Sequence, residues 1–344
     1  MGIKAVKLYF GVIIFFLTCF LLIVSIYMFL SIGTPPSKDI YIQLVTIIFP
    51  LILLSNFALI VFWIKTQKLI AIIPLISIII NLNIIPSFIG INIITKTETP
   101  NSKQLKVATY NVNYFSYKRD INLPAIAKMI QDNNVDIIAM QEFQPNHYFN
   151  INEIIGEFGF LEHNIYRINK DKIGIALFSK YPIINHYILE FEHTGNAILI
   201  ADINFMGDTI RVINTHLQTT GYYSTIYGGD GNIINSFKRN FTKREEQVDQ
   251  LIAIINSSSY PIIVMGDLNE TPHGYAHQSL LNAKLKDAFR EAGIGLGGTF
   301  FRTMNLIRID YIMYSPEFRA LKYYKVQSKL SDHKPIFSLL EYQN

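Results

Sequence analysis

Three long apolar stretches occupy most of the first hundred residues, and they constrain the fold of this chain more than any other feature. They cover about residues 8–32, 40–64 and 69–94, and none contains a charged side chain. Each is longer than the roughly 20 residues that an α-helix needs to cross a bilayer. The pattern predicts three transmembrane helices in a membrane region of residues 1–100, followed by a second domain of residues 101–344.

Other interpretations of these stretches are less favoured. A cleaved signal peptide has a shorter apolar core that is followed by a cleavage site of small residues. The first stretch is too long, and no such site follows it. A lipoprotein signal at Cys19 is disfavoured because the apolar run continues through Leu21 and Leu22. The third stretch is interrupted by Pro74 and Pro86, so a kinked or re-entrant segment is the alternative there.

The placement of lysines predicts how the chain is oriented. Lys4 and Lys7 precede the first stretch, and Lys65 and Lys68 lie between the second and the third, whereas the first connection carries only Lys38 beside an acid. Basic residues favour the cytoplasmic side of a membrane. Three spans with an internal N-terminus would place residues 101–344 outside, in a multi-pass protein of the cell membrane.

Charge is divided unevenly between the two parts of the chain. Of 30 basic and 26 acidic residues, six lysines and two acids lie in the first hundred, so the second domain is neutral. A neutral domain offers little overall field for a polyanion, and nucleic acid is therefore possible but not favoured as a partner. The single cysteine excludes a disulfide within the chain.

From residue 106 onward, short apolar strands alternate with turns and a few helical patterns, without a visible internal repeat. The predicted strands cover 106–111, 136–140, 173–179, 197–204, 209–214, 262–265, 309–314 and 336–341, and the predicted helices cover 122–133, 236–256 and 277–281. This spacing is typical of a mixed β-sheet sandwich with covering helices, in one domain of about 240 residues.

Polar side chains stand where several of these apolar strands begin or end. In the clearest case, the run 262–265 ends in Gly266-Asp267-Leu268-Asn269. Such a strand carries an acid and an amide to the rim of a sheet, where their oxygens suit a hard divalent cation. Four further segments do the same, at 107–113, 136–142, 212–218 and, in two parts, 308–312 with 331–336; they contain Asn111, Glu142, His216, Asp310 and the dipeptide Asp332-His333.

Each of these residues alone has an ordinary explanation: Asn111 as a turn residue, Glu142 as a solvated strand end, His216 as a structural histidine. Together they form a set of acids, amides and imidazoles. The second domain contains no cysteine, no Gly-x-Ser-x-Gly elbow and no Gly-x-x-x-x-Gly-Lys-Ser/Thr loop for phosphate. The combination predicts metal-dependent hydrolysis of a phosphoester.

In this order, the motifs resemble those of the endonuclease/exonuclease/phosphatase superfamily, whose members include DNase I-like nucleases, neutral sphingomyelinases and inositol polyphosphate 5-phosphatases. The resemblance covers about residues 105–342. It implies an α/β fold, a four-layer sandwich of two packed mixed β-sheets flanked by helices, here preceded by the three transmembrane helices. It also implies Mg²⁺ or Mn²⁺ as the cofactor.

The resemblance further implies which residues bind the metal. Glu142 matches the principal metal carboxylate, with Asn111 beside it at the metal and phosphate site. Asp332 matches an acid that would bind a second metal. Asn113 departs from the family pattern, in which an acid or a small residue is common, and its role stays open.

Five residues match the family's catalytic positions. Asp267 would orient and deprotonate the attacking water, and Asn269 would hold the scissile phosphate. His333 would lie next to phosphorus, with Asp310 orienting it. His216, in Asn-Thr-His-Leu, matches a histidine that contacts phosphate in the sphingomyelinase-like branches.

Two stretches near His216 have two interpretations each. The Gly/Tyr-rich segment 219–232 is either a loop that shapes the substrate site or touches the membrane, or an ordinary surface loop. Lys238, Arg239, Lys243 and Arg244 would either meet anionic groups or form a solvated helix face, and the acids at 245 and 246 favour the latter.

The sequence therefore predicts a membrane-anchored, metal-dependent phosphoester hydrolase, most simply a phosphodiesterase acting on a lipid headgroup, in contact with membrane lipids through its spans. One alternative is a nuclease that faces the cell envelope or the exterior. Another is a binding module without activity, against which the complete set of acids, amides and imidazoles argues.

Overall fold

The second domain is built on two six-stranded β-sheets. A computed structural model describes residues 3–93, 96, 99–100, 102–170, 173–192, 194–221, 232–303 and 305–343. The helices in this part of the chain are α1 (Ile3–Ser31), α2 (Ile40–Thr66), α3 (Ile72–Ile80), α4 (Asn122–Asp132), α5 (Ile151–Glu157), α6 (Ile233–Asn256), α7 (Tyr275–Asn282) and α8 (Ala288–Ala292). The strands are β1 (Ile89–Ile91), β2 (Lys103–Asn111), β3 (Ile137–Gln141), β4 (His163–Ile168), β5 (Gly174–Ser179), β6 (Ile183–Glu190), β7 (Ala197–Phe205), β8 (Asp208–His216), β9 (Ile262–Asp267), β10 (Lys286–Asp287), β11 (Ile294–Leu296), β12 (Asp310–Tyr314), β13 (Phe318–Lys325) and β14 (Ile336–Tyr342).

Both large sheets are mixed. One has the strand order β10-β12-β9-β8-β7-β6, and the other has the order β13-β14-β2-β3-β5-β4. The central pair is parallel in each sheet, β8 with β9 and β2 with β3. Parallel neighbours need a crossover connection, and here α6 and α4 supply it.

The two sheets pack face to face over one apolar core. Leu199 and Met265 from one sheet and Val107 and Leu177 from the other belong to this core and are fully buried. The outer face of the second sheet is covered by α4 and α5, and that of the first sheet by α6 and α7. The resulting order of helices, sheet, sheet and helices confirms the four-layer sandwich.

The predicted membrane helices are present only in part. Residues Val6–Ser31 and Ile40–Thr66 form helices that are long and apolar enough to cross a membrane, and only 22% and 33% of their most apolar parts are buried. Asp39 caps the second helix by accepting a hydrogen bond from the Tyr41 amide.

The prediction of a third transmembrane helix at 69–94 is wrong. Lys68–Ile80 forms only a short apolar helical segment. At its end, the Asn81 amide donates to the carbonyl of Ser77, and Pro86 lacks the N–H that a continuing helix needs. The chain instead passes through a 3₁₀ turn at Ile85–Ser87 into β1.

The N-terminal unit, residues 3–93, is docked onto the second domain. The Thr271 hydroxyl donates to Thr46 of α2 at 3.0 Å, and Ser87 Oγ lies 2.9 Å from His273 Nε2. β1 pairs with β11 of the second domain as a separate antiparallel ribbon. Because all of these contacts are specific hydrogen bonds, the two parts of the chain share a defined interface.

The connection between α1 and α2 lies on the same side as the second domain. Ser37 in this connection donates its backbone amide and its hydroxyl to the Glu245 carboxylate of α6, at 2.7 and 2.6 Å. The N-terminus of α1 and the C-terminus of α2 therefore lie at the far end of the helical pair, together with Lys7, Lys65 and Lys68.

Candidate active site

Strand register brings three of the predicted site residues side by side. His216 at the end of β8 is paired with Asp267 at the end of β9, and Asp267 is paired with Asp310 at the start of β12. The other sheet contributes Asn111 at the end of β2 and Glu142 just after β3. The two sheets meet at this edge, because Asn111 Nδ2 lies 3.2 Å from Asp267 Oδ2.

The glycine of the Gly-Asp-x-Asn motif is required by the parallel pairing of β8 and β9. Gly266 has a φ of +144°, and a Cβ atom there would lie only 1.9 Å from the carbonyl oxygen of Thr215. Any other residue would push the two strands apart. The close approach places Asp267 beside His216 at the rim of the sheet.

Five residues at this edge have a left-handed backbone. The φ angles of Glu142 and Asn269 are both 51°, and those of the consecutive residues Asn113, Tyr114 and Phe115 are 44°, 57° and 53°. A non-glycine residue in this region costs on the order of 1–3 kcal/mol, and such residues cluster at functional sites. The contacts around this edge must therefore hold these residues in an unfavourable backbone conformation, which fixes the directions of their side chains.

The Asn111 amide holds two carboxylates together. Its Nδ2 donates to Glu142 Oε1 at 3.0 Å and to Asp267 Oδ2 at 3.2 Å. Burial raises the pKa of Glu142, and the hydrogen bond from Asn111 offsets this only in part. Two acids in a buried place with one shared amide donor leave negative charge that a cation can neutralise.

His333 and Asp310 form a buried pair opposite these acids. His333 Nδ1 lies 2.9 Å from Asp310 Oδ2, and His333 Nε2 lies 3.7 Å from Asp267 Oδ2. Burial alone would lower the pKa of His333, but the charges of Asp310 and Asp267 raise it to about 10. The imidazole is therefore a cation at neutral pH.

Asp267 lies at the centre of the cluster. Burial raises its pKa to about 6, although the charge of His333 acts in the opposite direction. One ligating atom each from Asp267, Asp310 and His333 lie within 4.8 Å of one another, close enough to surround a metal ion. A protonated imidazole cannot ligate a metal, however, so these three side chains are better described as an acid–base group.

His216 and Asn269 complete the floor of the site. His216 is buried, which lowers the pKa of its imidazole, and its Nδ1 has no hydrogen-bond partner among the described residues. Asn269 donates its backbone amide to Asp267 and its side-chain amide to the carbonyl of Leu217. His216 is thus paired with Asp267 across the two strands, and Asn269 is held by hydrogen bonds to Asp267 and Leu217.

Asp332 is a predicted metal ligand whose carboxylate is already hydrogen-bonded to other protein groups. Its Oδ1 accepts from Asn113 Nδ2 at 2.8 Å, and its Oδ2 accepts from Arg302 Nε at 3.0 Å. Its charge still acts on Glu142, whose pKa it helps to raise. Asp332 therefore lies at the rim of the cluster with both oxygens in hydrogen bonds to protein groups, and Asn113 is the partner of one of them.

Several supporting residues were not predicted as part of the site. Gln141 donates to Asn214 Oδ1 at 2.8 Å, which joins the two sheets beneath the cluster. Ser331 donates to the carbonyl of Asn111, and the Tyr114 hydroxyl hydrogen-bonds Glu142. Gln141 and Asn214 are polar residues in otherwise apolar strands, and this was the signal that could have identified them.

The two stretches near His216 have different outcomes. Most of the Gly/Tyr-rich segment, residues 222–231, lies outside the described residues. Lys238 and Arg239 are exposed on α6, as expected for a solvated face. Arg244 is buried instead, with Nη1 donating to the carbonyl of Gln218 and Nε 3.4 Å from Glu270. It ties α6 to the segment that follows His216.

Comparison with known proteins identifies the family of this chain. The sequence model described as "Endonuclease/Exonuclease/phosphatase family" matches residues 108–333, which contain every site residue described above. The protein belongs to this family. Members of the endonuclease/exonuclease/phosphatase family are phosphoesterases and nucleases. No curated protein matches the chain.

Solved structures of the endonuclease/exonuclease/phosphatase family share the fold at low sequence identity. A family protein from Beutenbergia cavernae has a TM-score of 0.53 and 15% identity, over 70% of this chain and 72% of that one. Truncated TDP2 of Caenorhabditis elegans has a TM-score of 0.51 and 18% identity, over 69% and 97%. The mannosyl-6-phosphatase Bt3783 of Bacteroides thetaiotaomicron has a TM-score of 0.50 and 17% identity, over 69% and 99%.

Proposed function

We propose that this protein is a membrane-anchored, divalent-metal-dependent phosphodiesterase whose substrate is a phospholipid headgroup. One observation carries the proposal: the Asn111 amide joins Glu142 and Asp267, directly opposite the charged pair of His333 and Asp310. This arrangement offers negative charge for a metal, a base for water and a cation for phosphoryl oxygens within one small volume.

The residues present fit a divalent metal. Glu142 is an acid whose pKa is raised by burial, and among the described residues its carboxylate accepts hydrogen bonds from neutral groups, the Asn111 amide and the Tyr114 hydroxyl, while the charge of His333 acts on it without a direct contact. All donors here are oxygens, as Mg²⁺ and Mn²⁺ prefer. We assign the metal to Glu142 and Asn111, with Asp332 as a further ligand only if Arg302 releases it. When bound, the metal would act as a Lewis acid on the phosphoryl oxygens.

The protein's own residues would then perform the proton transfers. Asp267, with a pKa of about 6, is a base suited to neutral pH and would take the proton of a water molecule aligned with phosphorus. Cationic His333 would donate a hydrogen bond to a phosphoryl oxygen, where charge develops in the transition state. Water adds to phosphorus and the bond to the headgroup or glyceride oxygen breaks, which yields a phosphomonoester and an alcohol.

The position of the N-terminal unit supports a lipid substrate. Thr46, which contacts Thr271, lies about 30 Å along α2 from Thr66, the thickness of the hydrocarbon core of a bilayer. Thr271 is four residues from Asp267, so the site lies within about 14 Å of that level. If α2 spans the membrane, the site is at the height of the headgroups.

The metal assignment is tested with the full-length protein in lipid nanodiscs. Glu142→Gln keeps the size of the side chain but removes its charge, and we expect it to lower kcat by several orders of magnitude without changing the melting temperature. Glu157→Gln, at an exposed acid on α5, is the matched control and should be fully active. EDTA should abolish activity and Mg²⁺ or Mn²⁺ should restore it, whereas full activity in EDTA would refute the metal dependence.

The substrate is tested by supplying Mg²⁺ with sphingomyelin, phosphatidylinositol phosphates, duplex DNA and a soluble nitrophenyl phosphodiester. Cleavage of a lipid in preference to the soluble diester supports the proposal. Preferential cleavage of DNA, with binding that weakens steeply as salt rises, would assign the protein to the nucleases instead. Failure to cleave any of them, with the metal bound, would favour a binding module.

A further inference from the structure

The ribbon formed by β1 and β11 has two very different faces. Ile89 is paired with Leu296 and Ile91 with Ile294, while Gly90 is paired with Gly295 between them. Directly paired residues, and residues two apart on one strand, share a face of an antiparallel ribbon. One face therefore carries four large apolar side chains, and the other carries only glycines.

Three of these four side chains point away from the protein. Ile91, Ile294 and Leu296 are 67%, 65% and 59% exposed. On the opposite face, a Cβ at Gly90 would lie 2.2 Å from the Gly293 oxygen, whereas a Cβ at Gly295 would meet nothing within 4 Å. Isolated exposed apolar residues are ordinary, but a strand pair that presents only apolar side chains outward indicates a partner.

The same face is continuous with the apolar end of the N-terminal unit. Ile89 packs against the cluster formed by Met28, Ile42, Phe49, Ile84 and Phe88, at the end of the unit next to the second domain. The Gly297 amide also donates to the carbonyl of Phe88, which fixes the ribbon to this cluster. Whatever surrounds the exposed sides of α1 and α2 is therefore adjacent to the ribbon.

Three basic side chains, one of them paired with an acid, lie near the ribbon. Lys325 donates to the carbonyls of Leu296 and Gly298, and Arg290 donates to the carbonyl of Asn83. Lys96 lies 3.4 Å from Glu291. Apolar side chains flanked by lysine and arginine are typical of segments that lie in the interfacial layer of an anionic membrane.

We propose that the β1/β11 ribbon inserts Ile91, Ile294 and Leu296 into the interfacial layer of the bilayer, as a lipid contact separate from α1 and α2. This rests on the membrane anchoring proposed above. β11 belongs to the catalytic domain, so the contact holds that domain at a second point and fixes the orientation of the active-site edge.

Site-directed fluorescence quenching in the full-length protein tests this. In a Cys19→Ser background, a nitrobenzoxadiazole dye is attached at Leu296→Cys, at Phe16→Cys and at Met206→Cys. Phe16 is 67% exposed in α1 and should report lipid, and Met206 is 58% exposed in the β7–β8 turn, at the opposite end of β8 from the site. Vesicles of phosphatidylcholine and phosphatidylglycerol carry doxyl groups near the headgroup or deep in the acyl chain.

We expect quenching at Leu296 by the shallow doxyl lipid, quenching at Phe16 by the deep one and none at Met206. Quenching at Phe16 without quenching at Leu296 would overturn the ribbon proposal and leave the membrane anchoring intact. Quenching at neither position would overturn both. Self-quenching at Leu296 that rises with protein density, without doxyl quenching, would mean that a second copy covers the ribbon and would also overturn the proposal.

Discussion

At the scale of single residues, the charge on His333 depends on a carboxylate that would not itself touch the substrate. Asp310 is buried at the start of β12 and accepts from His333 Nδ1, so that Nε2 faces Asp267 and the open site. The pair was expected only from the family resemblance, because residues 310 and 333 belong to separate motifs whose meeting no spacing rule predicts.

This pair gives a prediction about catalysis. Asp310→Asn and His333→Ala should each lower kcat by at least about 100-fold, the lower range for a positioned acid–base group. Because the two residues act as one unit, the double variant should be little worse than His333→Ala alone. Additive losses in steady-state kinetics would show that they act independently.

The same pair sets a pH dependence. Asp310 raises the pKa of His333, so Asp310→Asn should lower it, and the imidazole should lose its proton at a lower pH than in the parent protein. The alkaline limb of the kcat profile should therefore move to lower pH in Asp310→Asn. If that limb reports His333 and stays in place, the assigned role of Asp310 is wrong.

The hydrogen-bond partners of Asp332 could not be predicted from its motif. The motif located it beside His333, but its partner Arg302 lies 30 residues away in the chain. Nothing in a linear pattern reveals that a carboxylate is already paired. The strand ends could be predicted from the sequence because apolar runs stop there, whereas the direction of each side chain depends on the tertiary contacts.

At the scale of elements, the eight inner strands of the two sheets were predicted and the four outer strands were not. β2, β3, β5, β7, β8, β9, β12 and β14 are largely buried and have nearly continuous apolar sequences. β4, β6, β10 and β13 are at the sheet edges, where one side is in solvent and polar residues are interleaved. A run of apolar residues indicates a buried strand, so strands that are only partly buried are not identified from the sequence pattern.

The loop between β9 and α7 is the element that links the N-terminal unit to catalysis. It begins at Asp267 and Asn269, and it reaches α2 through the buried hydrogen bond of Thr271 with Thr46. Removing one buried hydrogen bond costs about 1 kcal/mol, which corresponds to a roughly fivefold change in the ratio of ordered to disordered loop. Thr46→Val should therefore speed amide exchange in residues 268–275 about fivefold and lower kcat by at most that factor.

Thr66→Val is the matched control for this prediction. Thr66 lies at the far end of α2, and its hydroxyl donates within its own helix to the carbonyl of Phe62. Both variants replace a threonine hydroxyl with a methyl group in the same helix. Equal effects of the two, measured by hydrogen exchange and steady-state kinetics, would mean that the Thr46 contact does not support the active site.

At the scale of the whole molecule, the catalytic domain lies at one end of the α1/α2 pair and Lys7, Lys65 and Lys68 lie at the other. Residues 68–87 return from the C-terminus of α2 to the level of Thr46, since Ser87 contacts His273. The chain thus runs along the pair three times, although the third passage is not one long helix. The proposed orientation, with the catalytic domain outside, is therefore compatible with two long helices and a shorter third segment.

The orientation is a prediction for reporter fusions in a bacterial host. Alkaline phosphatase folds only outside the cytoplasm, and it should be active when fused after Asn344 and inactive when inserted between Lys65 and Lys68. The positive-inside rule is the physical basis. The reverse pattern would place the catalytic domain in the cytoplasm and make a soluble nucleotide or nucleic-acid substrate more reasonable.

The strand orders of the two sheets also show that the two halves of the domain are alike. In one half, the hairpin β6–β7 is followed by β8, the helix α6, the parallel strand β9, an edge strand β10 and the inner strand β12. In the other half, the hairpin β13–β14 stands in the same place beside β2, α4, β3, the edge strand β4 and the inner strand β5. The two halves therefore have the same arrangement of strands and helix. Strand register aligns Asn111 with Gln141 in one half and His216 with Asp267 in the other, so equivalent strand ends carry two amides on one side and an imidazole and an acid on the other.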